Sequence, residues 1–165
     1  MEAALWGFVG TIVGALASMI TTILSTRNSS WLHKQAVEQE KEERKRAFQR
    51  ETLIELQDVI HDLMRLITQG HLEEVRAHQA GKAWKEILLS KDVNNGQRLA
   101  RRRLVILIER IANDELRDNL KSVNSELCNS LFATSRMEAD KHLQIATSKV
   151  ANAMEHIGEV LRSQY

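Results

Sequence analysis

Acidic and histidine side chains between positions 55 and 62 have the types and spacing that metal binding or acid–base chemistry would need. In a helix, Asp58 and His61 lie one turn apart, and Glu55 and Asp62 project over the same arc. A di-metal centre in a helical bundle requires Glu-x-x-His on two helices and further carboxylates. The sequence has no second motif of this kind, so we expect an exposed polar face here, with no metal and no cofactor.

The remaining reactive residues do not form a recognisable catalytic motif. His71, Glu74 and His78 share one stretch and are expected at the surface. Cys128 lies beside Leu127 on an apolar helical stripe and is expected to be a small packing residue. The serines follow no nucleophile-elbow motif, and the glycines build no loop that could cradle a phosphate. These patterns predict that the protein is not an enzyme.

The one concentrated basic patch in the sequence consists of four arginines: Arg98, Arg101, Arg102 and Arg103. Arginines on adjacent helical turns could neutralise the phosphates of a nucleic acid or of an acidic lipid surface. Nucleic acid is the less favoured partner, because aromatic side chains that would stack on bases are missing around the patch. The simplest interpretation is a solvated face of a core helix, and binding of an anionic ligand is the alternative.

The composition predicts an all-α protein. The 165 residues include no proline, 43% are hydrophobic, 27% are charged and 4% are aromatic. Without proline there is no obligatory helix breaker, and only Gly70, Gly81 and Gly96 fall where an interior break is needed. The net charge of +1 favours no particular class of partner. A single cysteine excludes an internal disulfide and a cysteine-based zinc site.

A transmembrane helix is predicted over residues 3–26, because this stretch has no charged side chain and is mostly apolar. As a helix it would extend about 36 Å, against roughly 30 Å for the hydrocarbon core of a bilayer. A signal peptide is the main competitor, since residues 15–17 resemble a cleavage site. No basic residue precedes the stretch, however, and its apolar character continues to Leu24, which favours a retained anchor.

Basic residues flank the predicted span on one side only. They are Arg27, Lys34, Lys41, Arg44, Lys45 and Arg46. The positive-inside rule therefore predicts a single-pass protein of the cell inner membrane, with its N-terminus outside and its C-terminus in the cytoplasm.

One face of the predicted span consists of small or hydroxylated residues at spacings typical of a helix–helix contact. They are Gly7, Thr11, Gly14, Ser18, Thr21 and Ser25, and Gly10 adds a Gly-x-x-x-Gly element with Gly14. The opposite face is large and apolar, as contact with lipid requires. Because small residues let helix backbones approach closely, we expect a homo-oligomer in the membrane, with a hydroxyl-lined pore as the more adventurous alternative.

A helical stalk is predicted over residues 27–51, where charges of both signs alternate and pairs such as Glu40 and Arg44 lie four residues apart. The seven-residue phase of the membrane stripe continues through the stalk and reaches an apolar seam. The seam is formed by Leu53, Leu56, Ile60, Leu63 and Ile67. This favours one helix from the span to about Thr68, paired with its copies as a coiled coil or packed on later helices of the same chain.

Residues 52–164 are predicted to form a cytoplasmic antiparallel helical bundle, since each later helix has one apolar stripe that it cannot bury alone. Helical spacing of apolar residues continues over 71–90, after a break at Gly70 and with Gly81 as a soft point. The segment Asp92–Gly96 is expected to be a turn.

Capping residues mark the starts of the last two helices. Asn113 or Asp114 is expected to cap the helix that begins near position 115. Ser135 is followed three residues later by Glu138, which predicts a capping box for the final helix.

The sequence thus describes an all-α protein in which a single N-terminal transmembrane helix continues into a stalk and then into a bundle. Its expected function is assembly: the span and stalk self-associate in membrane lipid, and the bundle presents a surface to a cytoplasmic protein partner. A membrane-perturbing or pore-forming effector is the first alternative. A membrane-tethered nucleic-acid-binding protein is the second.

Overall fold

The computed structural model describes residues 2–164, except for the side chains at positions 2–6, 8, 9, 12, 13, 17, 20 and 23. Over residues 2–164 the regular elements are four helices: α1 (Glu2–Gln79), α2 (Lys91–Ile108), α3 (Asp114–Phe132) and α4 (Arg136–Arg162). Within the described residues there is no β-strand. The all-α prediction is therefore confirmed.

Helix α1 is continuous through the predicted span, the stalk and the apolar seam, and it ends beyond the predicted limit near Thr68. The chain divides into two compact units, Met1–Lys45 and Arg46–Tyr165, and α1 contributes to both. Across the part of the chain that is described, none of the helices combines the length and apolar character needed to span a bilayer. Several side chains of the predicted lipid face lie outside the described residues, so the span over 3–26 stays a prediction.

The first unit has the surface charge pairing that the stalk sequence predicts. Arg44 Nη2 donates to Glu40 Oε1 at 2.5 Å, four residues away on the helix. Lys45 Nζ donates to Glu42 Oε1 at 2.7 Å, three residues away. Exposed pairs of this kind each stabilise a helix by about 0.2–0.5 kcal/mol, so they support α1 where it has no core to pack on.

The second unit is a bundle whose core receives one apolar stripe from each helix. The buried side chains include Leu53, Leu56, Ile60, Leu63 and Ile67 of α1; Leu104, Leu107 and Ile108 of α2; Leu116, Leu120, Val123 and Leu127 of α3; and Ala146, Val150, Ala153 and Ile157 of α4. The seam predicted on α1 therefore packs on later helices of its own chain. Burial of such side chains, each contributing about 1.5–3 kcal/mol, is what holds the four helices together.

Polar contacts between helices show that α1 and α2 are antiparallel. The side chain of Gln49 bonds the backbone at Arg110 and Ala112, near the end of α2. Further along α1, the carbonyl oxygen of Leu66 accepts from Gln97 Nε2 at 2.9 Å, near the start of α2. Residue numbers along α2 therefore decrease in the direction in which those along α1 increase, so the two helices are antiparallel.

The same relation holds between α3 and α4. Lys149 Nζ donates to Ser122 Oγ at 2.8 Å, and His142 Nδ1 lies 3.0 Å from Glu126 Oε2. The later residue of α3 thus meets the earlier residue of α4. The prediction of an antiparallel bundle is confirmed for the second unit.

Two expected helix breaks are wrong. Gly70 lies inside α1, and the expected turn Asp92–Gly96 lies inside α2. These glycines are needed for packing, because α1 and α2 approach closely at both. A Cβ atom at Gly70 would lie 2.7 Å from Gln97 Nε2, and one at Gly96 would lie 2.9 Å from Leu66 Cδ2.

The real interruption is the connection of residues 80–90, where helix had been expected to continue. Gly81 has a φ of +90° and lies at the C-terminus of α1. Its N–H donates to the His78 carbonyl, and the Lys82 N–H donates to the Ala77 carbonyl. This is the Schellman arrangement, which glycine favours because it has no Cβ in the left-handed region. The helix predicted beyond Gly81 is therefore wrong.

Both predicted helix starts are confirmed. Asn113 Oδ1 accepts from the Leu116 N–H at 2.8 Å, which identifies it as the cap of α3. Ser135 Oγ accepts from the Glu138 N–H at 3.2 Å. The Glu138 carboxylate accepts hydrogen bonds from the N–H and the hydroxyl of Thr134. In a standard capping box it would accept from the N–H of the cap residue, one position later.

The packing role of Gly70 can be tested against Gly158, where the nearest side-chain atom to an added Cβ is the flexible end of Arg162 at 3.4 Å. Gly158→Ala should raise the free energy of unfolding by about 0.5–1 kcal/mol, because alanine favours a helix interior. Gly70→Ala has the same helical advantage but must displace Gln97 and Leu89, so it should lower that free energy by about 1 kcal/mol. Thermal unfolding followed by circular dichroism measures both. Equal stabilisation by the two substitutions would contradict the close approach.

Candidate functional site

The acidic and histidine residues near position 58 lie on the exposed side of α1. Asp58, His61 and Asp62 are all exposed, and the Glu55 carboxylate accepts from Arg103 Nε at 2.7 Å. Among the described residues, no group of three histidine, cysteine, aspartate or glutamate side chains is placed to hold a metal ion. This part of α1 is the polar surface that the sequence predicted.

Cys128 is half-buried on α3, next to the fully buried Leu127. Its thiol lies 3.9 Å from the side-chain oxygen of Asn124. It packs at the edge of the core, as its position beside the apolar stripe predicted.

The expectation that His71 and Glu74 lie at the surface is wrong. The Glu74 side chain is 2% exposed, and His71 Nε2 lies 2.8 Å from Asp140 Oδ1 of α4. The Trp84 ring of the 80–90 connection meets the rings of His71 and His78 edge-on, with centroid distances of 5.7 and 6.1 Å. This cluster could not be predicted from helical spacing, because residues 80–90, which include Trp84, are not helical.

The buried Glu74 carboxylate holds the connection in an unusual conformation at Lys85. Glu74 Oε2 accepts from the Lys85 backbone N–H at 3.1 Å, and Lys85 has a φ of 64°. Residues with a side chain adopt this left-handed region at a cost, so the surrounding contacts must enforce it. Trp84 Nε1 donates to the Ala133 carbonyl at 3.2 Å and fixes the connection to the end of α3. Lys85 is thereby placed beside α2.

The predicted basic patch divides between two sides of α2. Arg103 pairs with Glu55 of α1. Arg98, Arg101 and Arg102 lie on a different face and line one groove. The predicted set of four is therefore three arginines at a candidate site and one in an ion pair.

The groove lies between the 80–90 connection, α2 and the end of α3, and has a volume of about 690 Å³. Its polar lining consists of Lys85, Asn94, Gln97, Arg98, Arg101 and Arg102. Its apolar lining consists of Leu89, Val105, Ile106, Leu131 and Phe132. The volume falls within the roughly 300–1,000 Å³ typical of small-molecule sites.

The charges in this groove are of one sign. Of the described residues that line it, none carries a carboxylate. Within the described part of the chain, Arg98, Arg101 and Arg102 form no ion pair, in contrast to Arg103. Four cationic side chains beside an apolar surface can attract a negatively charged group and shelter an attached apolar one.

The sequence predicts the arginines of the groove but not its apolar lining. One signal was present, because Val105 and Ile106 follow Arg101 and Arg102 by four residues and share their face. Helix α2 is thus apolar on two sides, which a single core contact does not require. The contribution of Leu89, Leu131 and Phe132 comes from elements far apart in sequence and left no local pattern.

The predicted association residues lie on the exposed surface of α1 in the first unit. All seven are exposed: Gly7, Gly10, Thr11, Gly14, Ser18, Thr21 and Ser25. A Cβ atom placed on any of the three glycines meets no described atom within 4 Å. Thr11 Oγ1 donates to the Gly7 carbonyl at 2.9 Å, so its hydroxyl is satisfied within the helix. Association through this face stays a prediction.

A second polar cluster joins α3 to α4 around Glu126, whose side chain is 18% exposed. Its carboxylate accepts from Lys149 Nζ and lies beside His142 Nδ1, at 3.0 Å in each case. The hydrogen bond from Lys149, followed by that from His142, lowers the pKa of Glu126 below its ordinary value of 4.5. The cluster is a cross-link between two helices.

Comparisons of the chain with models of protein families, with curated proteins and with solved structures find no match.

The lowered pKa of Glu126 predicts a specific dependence of stability on pH. The ionised carboxylate stabilises the fold at pH values above 4.5, and this contribution is lost as the pH falls through the lower pKa of the folded state. Glu126→Gln should therefore cost about 1 kcal/mol at neutral pH and flatten the decline in stability below pH 4.5. Thermal unfolding across this pH range measures the effect. The matched control is Glu155→Gln at an exposed position of α4, and identical pH profiles for the two variants would refute the role of the cluster.

Proposed function

We propose that this protein is a membrane-anchored helical assembly protein, which self-associates through residues 3–26 and presents a cytoplasmic bundle to a protein partner. The observation that carries the proposal is the absence of any charged side chain from Ala3 to Thr26. An uncharged, mostly apolar helix of this length is suited to the hydrocarbon core of a bilayer. The basic residues that follow it favour a cytoplasmic position for the rest of the chain.

Self-association is supported by the small-residue face of the same segment. Gly7, Gly10 and Gly14 are exposed on α1, and an added Cβ would meet open space at each. In a membrane, such a face permits another helix to approach closely and gain van der Waals contact. A second copy of this chain carries the same face and is the simplest partner for it.

Presentation of the bundle is supported by large apolar side chains left exposed near one end of it. Leu88 is 97% exposed in the 80–90 connection, and Met137 is 81% exposed in the first turn of α4. The Trp84–Ala133 hydrogen bond joins the connection to the α3–α4 turn, so both residues belong to the same end of the bundle. Exposed apolar side chains at the same end of a bundle can contribute to a protein interaction surface.

The anchor is tested by washing membranes that contain the full chain with alkaline carbonate. We expect the chain to stay in the membrane pellet. A variant with Val13→Arg and Leu16→Arg should be released, because each charge at mid-bilayer costs about 2.5–3.5 kcal/mol on insertion scales and the two like charges cannot pair. Release of the intact wild-type polypeptide would overturn the anchor.

The association face is tested by substituting Gly14 with leucine and measuring the mass of the detergent-solubilised full chain by light scattering. Gly14→Leu should reduce the mass to that of a smaller assembly, because a large side chain separates the two backbones. Ala15→Leu places the same side chain beside the stripe, at an exposed position of α1, and should leave the mass unchanged. Equal masses for wild type and Gly14→Leu would remove this face as the contact.

A further inference from the structure

We propose that the groove of Lys85, Arg98, Arg101 and Arg102 binds a single-chain anionic amphiphile, such as a long-chain alkyl phosphate or carboxylate. The guanidinium groups hold the anionic head, and the apolar lining of the groove covers part of the chain. This inference is independent of the anchor and of self-association, because all the lining residues belong to the second unit.

The basic side chains identify the charge of the ligand. Arg98 and Arg102 are four residues apart on α2, and Arg101 is three residues beyond Arg98, so all three project from neighbouring turns. Guanidinium groups donate paired hydrogen bonds to phosphate and carboxylate oxygens, which makes them well suited to such heads. Lys85 adds a fourth cation from the opposite element. The bond from its N–H to Glu74 positions its backbone, and its ammonium lies over the Trp84 ring, 5.8 Å from the ring centroid.

The apolar side chains identify the rest of the ligand. Phe132 is 73% exposed, and Val105 and Ile106 are 44% and 45% exposed. A free inorganic anion would leave these side chains in water. A chain of methylenes attached to the head would cover them, since Val105 and Ile106 lie one turn beyond Arg101 and Arg102 on α2.

The shape favours one narrow chain over a bilayer surface. The arginines and the apolar side chains lie on the walls of a groove between elements, whereas a helix that binds a bilayer lies in the interface plane with its apolar face turned to the lipid. The volume of about 690 Å³ suits a single small molecule. We therefore commit to a monomeric amphiphile as the occupant.

The test uses the full chain and a dodecyl phosphate probe that carries a photoreactive diazirine on its chain. If carbonate washing leaves the chain in the membrane, it is placed in phosphatidylcholine nanodiscs; if washing releases it, the same test is done in buffer. Crosslinked peptides are located by mass spectrometry. We expect crosslinks on α2 and on the end of α3. Unlabelled alkyl phosphates should displace the probe with about tenfold higher affinity for every two methylenes added, until the groove is filled.

Two pairs of variants separate the site from general electrostatics and from folding. Arg101→Gln should weaken binding on the order of tenfold or more, while Arg103→Gln, on the same helix but outside the groove, should have little effect. Phe132→Ser should weaken binding severalfold, and Met137→Ser, equally exposed but outside the groove, should not. Partition of the probe into the nanodisc is common to all four variants and cancels in the comparison.

Several outcomes would overturn the proposal. Equal losses in Arg101→Gln and Arg103→Gln would indicate nonspecific attraction to positive charge. Displacement by inorganic phosphate as strong as that by decyl phosphate would show that the apolar lining is not used. Binding of an acidic helical peptide without binding of any alkyl phosphate would assign the groove to a protein. None of these results bears on carbonate extraction or on the mass of the Gly14→Leu variant, so the anchor and the groove succeed or fail separately.

Discussion

The close approach of α1 and α2 at Gly70 and Gly96 decides which side of α2 faces the core. Because the two glycines have no side chain, Gln97 reaches the Leu66 carbonyl past Gly70, and the Leu66 side chain lies against Gly96. These contacts set the rotation of α2 about its own axis. Leu104, Leu107 and Ile108 then point inward, and Arg103 points toward Glu55.

The same rotation directs the second apolar side of α2, with its three arginines, away from the core. A helix that turned by one residue would shift every side chain by about 100° and bury a guanidinium. The free-energy cost of a buried unpaired charge would be far larger than the stabilisation that packing could provide. The groove is thus a consequence of how α2 packs on α1, and it is not an independent feature of the surface.

The second constraint is the buried Glu74, which replaces helix continuation by a fixed irregular connection. A carboxylate in the interior is tolerated only when its oxygens are bonded. Glu74 meets this need with the Lys85 N–H, which explains why Lys85 accepts a left-handed φ. Contacts of Trp84 with His71, His78 and the Ala133 carbonyl complete the restraint. The cost of one strained residue is offset by several contacts that also close the end of the core.

The helical spacing of the residues predicted those features of the fold that depend only on local helix geometry. The seam from Leu53 to Ile67, the stripe of α3 and the caps at Asn113 and Ser135 could be predicted because a helix brings residues three and four apart together. Glycine was misread, because the sequence does not show whether glycine breaks a helix or admits a neighbour. Gly70 and Gly96 admit a neighbour, whereas Gly81 ends a helix. The two roles can be told apart only when the neighbouring helix is known. The same is true of the four arginines, of which one pairs with Glu55 and three line the groove.

The spacing of like charges distinguishes the groove from the stalk. Along the stalk, Arg44 and Lys45 each find a glutamate within one turn, so neighbouring charges there stabilise the helix. On α2, Arg98 faces Arg101 and Arg102 at the same spacings, and like charges in those positions destabilise a helix by about 0.2–0.5 kcal/mol per pair. An anion placed among the three arginines would convert that repulsion into attraction, and an attached chain would cover Val105 and Phe132. The unfavourable features of the groove would all be relieved by one kind of molecule, which is why we assign it a ligand and do not regard it as a solvated face.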